Sequence, residues 1–174
     1  RNLIALDDYR SIFPTVKLAQ DSKSAGRWNT NVGGEYYACG IGSALAGRGA
    51  DLLLVDDPHS EQDVINGNFS VFEKAYEWFT FGARTRLMPG GRVAIIQTRW
   101  HLDDLTGRVV RDMGKNERAD QYEVVEFPAI LEVVSKKTKK VTQKPLWPEF
   151  FDLEALLRTK ASMPVFQWNS QYQQ

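Results

Sequence analysis

The sequence predicts an α/β protein, a mostly parallel sheet with flanking helices, and three observations carry that expectation. Two apolar runs, "LLLV" at 52–55 and "VAII" at 93–96, are short, bounded by turn residues, and read as strands buried on both faces. A long stretch with helical periodicity separates them, and a second helical pattern follows the later run. A third strand candidate, "YEVVEFPAI" at 122–130, completes the order strand, helix, strand, helix, strand. That order is the pattern of parallel βαβ units with right-handed crossovers.

The elements follow in chain order. "NLIALDDYRSIFP" has helical spacing through Leu3, Leu6 and Tyr9 and is expected to end at Pro14. "RWNTN" and "EYYACGI" flank Gly33-Gly34 and read as a hairpin. "GSALAGRG" is a flexible glycine loop without the G-x-x-x-x-G-K-S/T pattern of a phosphate loop. Residues 61–87 carry Phe72, Tyr76, Phe79 and Ala83 at three- and four-residue steps, a helix stopped by Met88-Pro89-Gly90-Gly91. "DDLTGRVVRDM" is a helix with Asp103 or Asp104 near its positive end. "LEVVSKKTKKVTQKPLW" places a lysine-rich turn between two β-prone runs, and "DLEALLRTKASM" gives a last helix. There is no internal repeat and no domain boundary before the tail.

Composition bounds the function. The chain has 174 residues, 43% hydrophobic and 11% aromatic, enough for one domain with a core. Its 22 basic and 22 acidic residues cancel, so any nucleic-acid contact must be local. The lone Cys39 excludes an internal disulfide and points to a reducing, intracellular setting, and no spaced Cys/His set suggests zinc. No apolar run approaches the roughly 18 to 20 residues that span a bilayer, so a soluble chain is expected. Because it opens at "RNLIAL" without methionine and stops at "NSQYQQ", it is expected to be a piece of a longer polypeptide.

The chemistry lies at the strand ends. The first apolar strand runs into Asp56 and Asp57, and the second into Gln97, Thr98, Arg99, Trp100 and His101. In open α/β sheets the carboxyl ends of the strands border the ligand crevice. Two neighbouring parallel strands would bring Asp56, Asp57, Thr98 and Arg99 to that crevice together. A carboxylate pair beside a hydroxyl and a guanidinium suits magnesium-dependent phosphoryl chemistry, in which the metal neutralises phosphate charge and an acid orients or deprotonates water. The other reading stays open: the acids begin a solvated turn or cap a helix, and Thr98 and Arg99 pair with neighbours.

"GRGADLLLVDDPHS", the tryptophan-bearing helix after it, "GGRVAIIQTRWHLDDLTGRVV" and the late "LWPEFF" and "FQWNSQYQQ" together resemble the ATPase domain of the large terminase subunit of tailed bacteriophages and prophages. The resemblance covers nearly the whole chain. It implies a P-loop NTPase core of the additional-strand catalytic glutamate type, lacking its Walker A portion. Residues 1–165 would be the latter part of the ATPase domain, and 166–174 the start of a linker towards a nuclease domain. In that family "LLLVDD" corresponds to the Walker B strand. Asp56 would then hold Mg²⁺, usually through water, and Asp57 would be the acid that activates water. This sequence has Asp-Asp where the family more often has Asp-Glu. The shorter side chain must come closer to the water or act through a second one. "QTR" resembles the coupling motif, with Thr98 first and Arg99 second as sensors of the γ-phosphate. The resemblance also implies ATP as substrate, double-stranded DNA as the translocated cargo, portal protein and small terminase subunit as partners, a homo-oligomeric ring on the procapsid, no membrane, and host cytoplasm as the setting.

Two other classes compete. A metal-dependent nuclease would gather Asp56, Asp57, His59, His101, Asp103 and Asp104, although adjacent acids on a strand point to opposite faces. A non-enzymatic scaffold would bind a portal or small subunit. For the remaining residues both readings stand side by side: His59 and His101 as turn or packing residues, Trp100 as a core anchor or a contact to DNA, Arg48 as a surface arginine or a phosphate or interface contact, and "KKTKK" as a solvated hairpin tip or a contact to DNA phosphates.

Overall fold

The opening helical pattern forms two short helices, α1 (Asn2–Ala5) and α2 (Asp7–Ile12), because Leu6 between them is extended at φ −71° and ψ 146°. The continuous helix expected there is thus interrupted, and Pro14 follows its end. The hairpin forms as expected: β1 (Arg27–Asn29) pairs antiparallel with β2 (Glu35–Tyr37), and Trp28 stacks on its cross-strand partner Tyr36 at 4.9 Å. The turn needs Gly33, whose φ is +86°. The computed structural model describes residues 2–21 and 24–174. The chain divides into two compact units, Arg1–Ser43 and Ala44–Gln174. The division falls inside the glycine loop, where the sequence suggested flexibility but no boundary.

In the second unit the two apolar runs become β3 (Ala50–Asp56) and β4 (Leu87–Ile96), paired in parallel with Leu53 opposite Val93 and Val55 opposite Ile95. Met88-Pro89-Gly90-Gly91 bulges out of β4 opposite Asp51, with Gly90 at φ +82°. A bulge is where a sheet tolerates proline. The helical stretch between the strands breaks at Asn66-Gly67-Asn68 into α3 (Glu61–Ile65) and α4 (Ser70–Glu77), and α4 continues through wider and then tighter turns to Arg86. Its buried stripe, Phe72, Ala75, Phe79 and Ala83, packs one face of the unit. The helix α5 (Leu105–Lys115) adds Leu105 and Val109, and the core closes around Val55 with Leu53, Val93 and Ile95 beside it.

Two expectations are corrected here. The strands are not buried on both faces: Leu53, Val55, Val93 and Ile95 face the core, whereas Leu52, Leu54 and Ile96 are 62%, 54% and 58% exposed. Within this unit no described element covers that second face. Nor is the sheet mostly parallel among the described residues, which form three two-stranded sheets with β3–β4 the parallel one. Of residues 122–130, read as a strand, 122–128 pair with nothing in a ladder and Ile130 instead begins the hairpin that follows. The chain is therefore a mixed α/β protein with one parallel strand pair.

The last part builds its own core. β5 (Ile130–Val134) and β6 (Val141–Pro145) form the antiparallel hairpin with the lysine-rich turn. α6 (Leu153–Ala161) starts at Asp152, whose carboxylate accepts the Ala155 N–H at 2.7 Å. Ile130, Leu156 and Trp168 are buried together, with Trp168 on α7 (Val165–Trp168) stacked on Tyr172 at 4.8 Å. Of residues 166–174, Trp168 is buried in this core and Tyr172 packs against it, whereas Phe166 is exposed. No helix among the described residues is long and apolar enough to cross a membrane.

Candidate functional site

The parallel pairing of β3 and β4 decides which side chains meet. With Asp56 opposite Ile96, both strands end at the same edge. The Asp57 N–H extends the ladder by one bond, donating to the Ile96 carbonyl at 2.9 Å. Asp57 then turns at φ +42°, left-handed backbone that aspartate tolerates better than most residues. Its Oδ1 accepts the Thr98 N–H at 3.4 Å, the long end of hydrogen-bond range. Asp56, Asp57 and Thr98 therefore share one strand edge, and both carboxylates are exposed. The adjacent acids escape strand alternation because the turn at Asp57 re-aims the second one.

Arg99 is at the same edge but is turned away into a clasp. Its Nε donates to Oδ2 of Asp104 at 3.0 Å, and Asp104 is completely buried. The same oxygen accepts the backbone N–H groups of Trp100 and His101 at 3.2 and 3.4 Å, while Oδ1 caps α5 through the Gly107 N–H at 2.8 Å. One carboxylate thus ties the loop after β4 to the start of α5. The N-terminal position of Asp104 on the helix was legible in "DDLTG"; its bond to Arg99 was not, because it depends on the path of the loop between them.

His59 is buried, and its Nε2 accepts the Leu105 N–H at 3.1 Å. Phe72 meets its ring edge-on at 4.7 Å. Burial pushes the imidazole pKa below its usual value, against the opposing pull of the Asp104 and Asp63 carboxylates. His101 stacks on Phe72 at 5.3 Å and accepts the Asp103 N–H on Nδ1 at 3.0 Å. Asp103 bonds Arg111 at 2.7 Å, and that hydrogen bond holds its carboxyl below the usual range. Both histidines thus act in packing and turns. Of the six residues a metal-dependent nuclease would gather, Asp104, His59, His101 and Asp103 are engaged in holding the α5 entry together. Among the described residues no three His, Cys, Asp or Glu side chains are placed to hold a metal.

For Mg²⁺ the donor chemistry at the β3 end does fit. Asp56 and Asp57 offer hard oxygen ligands in a solvated position, and Mg²⁺ keeps several waters and takes one or two carboxylates plus substrate phosphates more often than an all-protein cage.

Beside this edge lies a cleft of about 760 Å³ between β4 and residues 120–127, which form no helix or strand, floored by Thr106, Val109 and Val110 of α5. Consecutive residues 91–96 of β4 border it, so the strand's free edge faces the cleft, not one side of the sheet. Gln97 and Thr106 also border it, and the Gln97 amide atoms and the Thr106 hydroxyl are buried without a partner. Such groups mark space where hydrogen-bonding atoms belong. The sequence placed Gln97 at the strand end, as the first residue of "QTR", but nothing in it assigned the side chain a role.

Comparisons with protein-family models, with curated proteins and with solved structures find no match. Fold and site together define a mixed α/β protein with paired carboxylates at the carboxyl end of a parallel strand pair.

Proposed function

We propose that this chain is the latter part of the ATPase domain of a large terminase subunit. On this reading it supplies the Walker B and coupling segments to a motor that hydrolyses Mg-ATP and drives double-stranded DNA into procapsids. One observation carries the reading: β3 and β4 pair in parallel and bring Asp56, Asp57 and Thr98 to one edge, with Asp57 bonded to the Thr98 backbone. Asp56 would hold Mg²⁺ through water, and the metal, when bound, would neutralise charge on the transferred phosphoryl group. Asp57 would orient and deprotonate the attacking water. Thr98 would sense the γ-phosphate, and Arg99, clasped to Asp104, would carry the sensor's position to α5.

The cleft supports the same reading. The 174 residues contain no phosphate loop, and the P-loop NTPase core needs a strand leading into one. A free strand edge facing an unpaired segment across an open slot is what a sheet lacking one inner strand leaves behind. The bare face bearing Leu52, Leu54 and Ile96 likewise suits a sheet covered by further helices.

The test uses the longer polypeptide that the reading requires, with a strand and G-x-x-x-x-G-K-S/T encoded ahead of Arg1. Asp57→Asn should leave nucleotide binding intact and lower Mg-ATP hydrolysis at least about 10²-fold, the scale for a positioned acid or base. Hydrolysis at the wild-type rate would remove Asp57 from the chemistry, and an upstream sequence without that loop would overturn the reading.

A further inference from the structure

The charges of the molecule cancel overall, yet four lysines crowd into the five residues Lys136–Lys140 at the tip of the β5–β6 hairpin. All four are exposed, and among the described residues none forms an ion pair with a carboxylate. The tip is ordered by its own bonds: the Ser135 N–H donates to the Lys140 carbonyl and the Lys139 N–H to the Ser135 carbonyl, each at 2.9 Å, with Lys139 in left-handed backbone at φ +58°.

The ribbon behind the tip is firmly rooted. Ile130 is buried against Leu156 and Trp168, its carbonyl accepts the Gln173 side chain at 2.6 Å, and the neighbouring Ala129 carbonyl accepts the Leu146 N–H at 2.9 Å. Beyond Ile130 the strand residues of β5 are exposed, so the ribbon stands out from its core by roughly 13 Å, the four residues 131–134 at about 3.3 Å each. A rooted ribbon presents its charges with little ordering left to do on binding.

We infer that this lysine tip is a phosphate-backbone contact for double-stranded DNA, independent of base sequence. The inference rests on the reading of the chain as part of a DNA-translocating motor and names where cargo touches it. The chemistry of the tip selects this partner. Lysine is a point charge that pairs with phosphate, whereas base edges are read mainly by the fork of arginine or the amides of Asn and Gln, none of which occurs in residues 135–140. A lipid surface is disfavoured because residues 135–140 offer no apolar side chain to enter it.

The experiment measures binding of the 174-residue chain to a labelled duplex of arbitrary sequence by fluorescence anisotropy across a salt series. Replacing the four lysines with glutamine (K136Q, K137Q, K139Q, K140Q) should weaken binding at least about tenfold at low salt. It should also flatten the slope of log affinity against log salt by about 3.6, about 0.9 for each of the four lost phosphate contacts. Arginine at the same four positions should preserve affinity and slope. The inference is overturned if the glutamine variant binds like wild type, if wild type does not bind the duplex at low salt, or if the substitutions abolish binding to phosphatidylserine vesicles while DNA binding is unchanged. Failure here is separable from failure of the ATPase reading: in the longer polypeptide the glutamine variant should keep DNA-free ATP hydrolysis, whereas Asp57→Asn should lose hydrolysis and still bind DNA.

Discussion

Asp104 accepts four hydrogen bonds with no solvent around it, one of them from the guanidinium of Arg99. Asp104→Ala removes the cap of α5 and leaves Arg99 and two backbone N–H groups without their acceptor. Combining a lost cap with a lost charge-assisted bond gives an expected destabilisation of about 2–4 kcal/mol, read from the denaturant midpoint at constant slope. His59 sets a pH dependence of known sign. Its folded pKa lies below the unfolded 6.5, because the neutral ring is buried and needs a lone pair for the Leu105 N–H. The unfolded chain therefore binds more protons in that window, and stability is full above 6.5 and falls as pH drops through it towards the folded pKa. Unfolding free energies measured between about pH 7.5 and 5 should show this loss, and His59→Gln, a neutral acceptor at every pH, should flatten it.

At the scale of elements, α5 contains two glycines with opposite fates. A Cβ at Gly107 would lie 2.2 Å from the Leu102 carbonyl oxygen and 2.9 Å from Nη2 of Arg99, so the loop carrying Arg99 must move. A Cβ at Gly114 meets nothing within 4 Å. Gly107→Ala should cost about 1–3 kcal/mol through overpacking, whereas Gly114→Ala should stabilise by about 0.5–1 kcal/mol through helix propensity. Thermal melts of the two variants, moving in opposite directions, check the packing of the helix entry. Much of this level was legible in the sequence. The runs 52–55 and 93–96 located β3 and β4, "DDLTG" located the start of α5, and the lysine turn located the last hairpin. What was not legible depended on neighbours. A continuous apolar run signals burial on both faces only where both faces are covered, and Leu52, Leu54 and Ile96 are bare. The periodicity of 61–87 could not register the break at Gly67, whose φ is +64°. The apolar pattern of 122–130 fitted a strand, but a strand needs a partner edge, and β4 lies across a cleft from it.

At the scale of the molecule, the residues that do chemistry on the proposed reading, Asp56 and Asp57, stand on β3, and the residues that would transmit its outcome follow β4. The clasp from Arg99 to Asp104 joins that loop to α5. A change at Thr98 on loss of the γ-phosphate would then move a strand end and a helix together, as switch segments do. The site of the candidate residues was legible as a shared strand edge; the clasp that would make it a coupling device was not, since it lies in a loop whose path the sequence does not state. In the longer polypeptide that the proposed reading requires, Thr98→Val separates coupling from hydrolysis, because valine keeps the branched shape and strand preference and removes the hydroxyl. The paired measurement is the burst of ATP cleavage in a single turnover, by rapid quench, and the DNA packaged into procapsids, by nuclease protection. A substantial burst with packaging abolished is expected; packaging at the wild-type level would remove Thr98 from the coupling role.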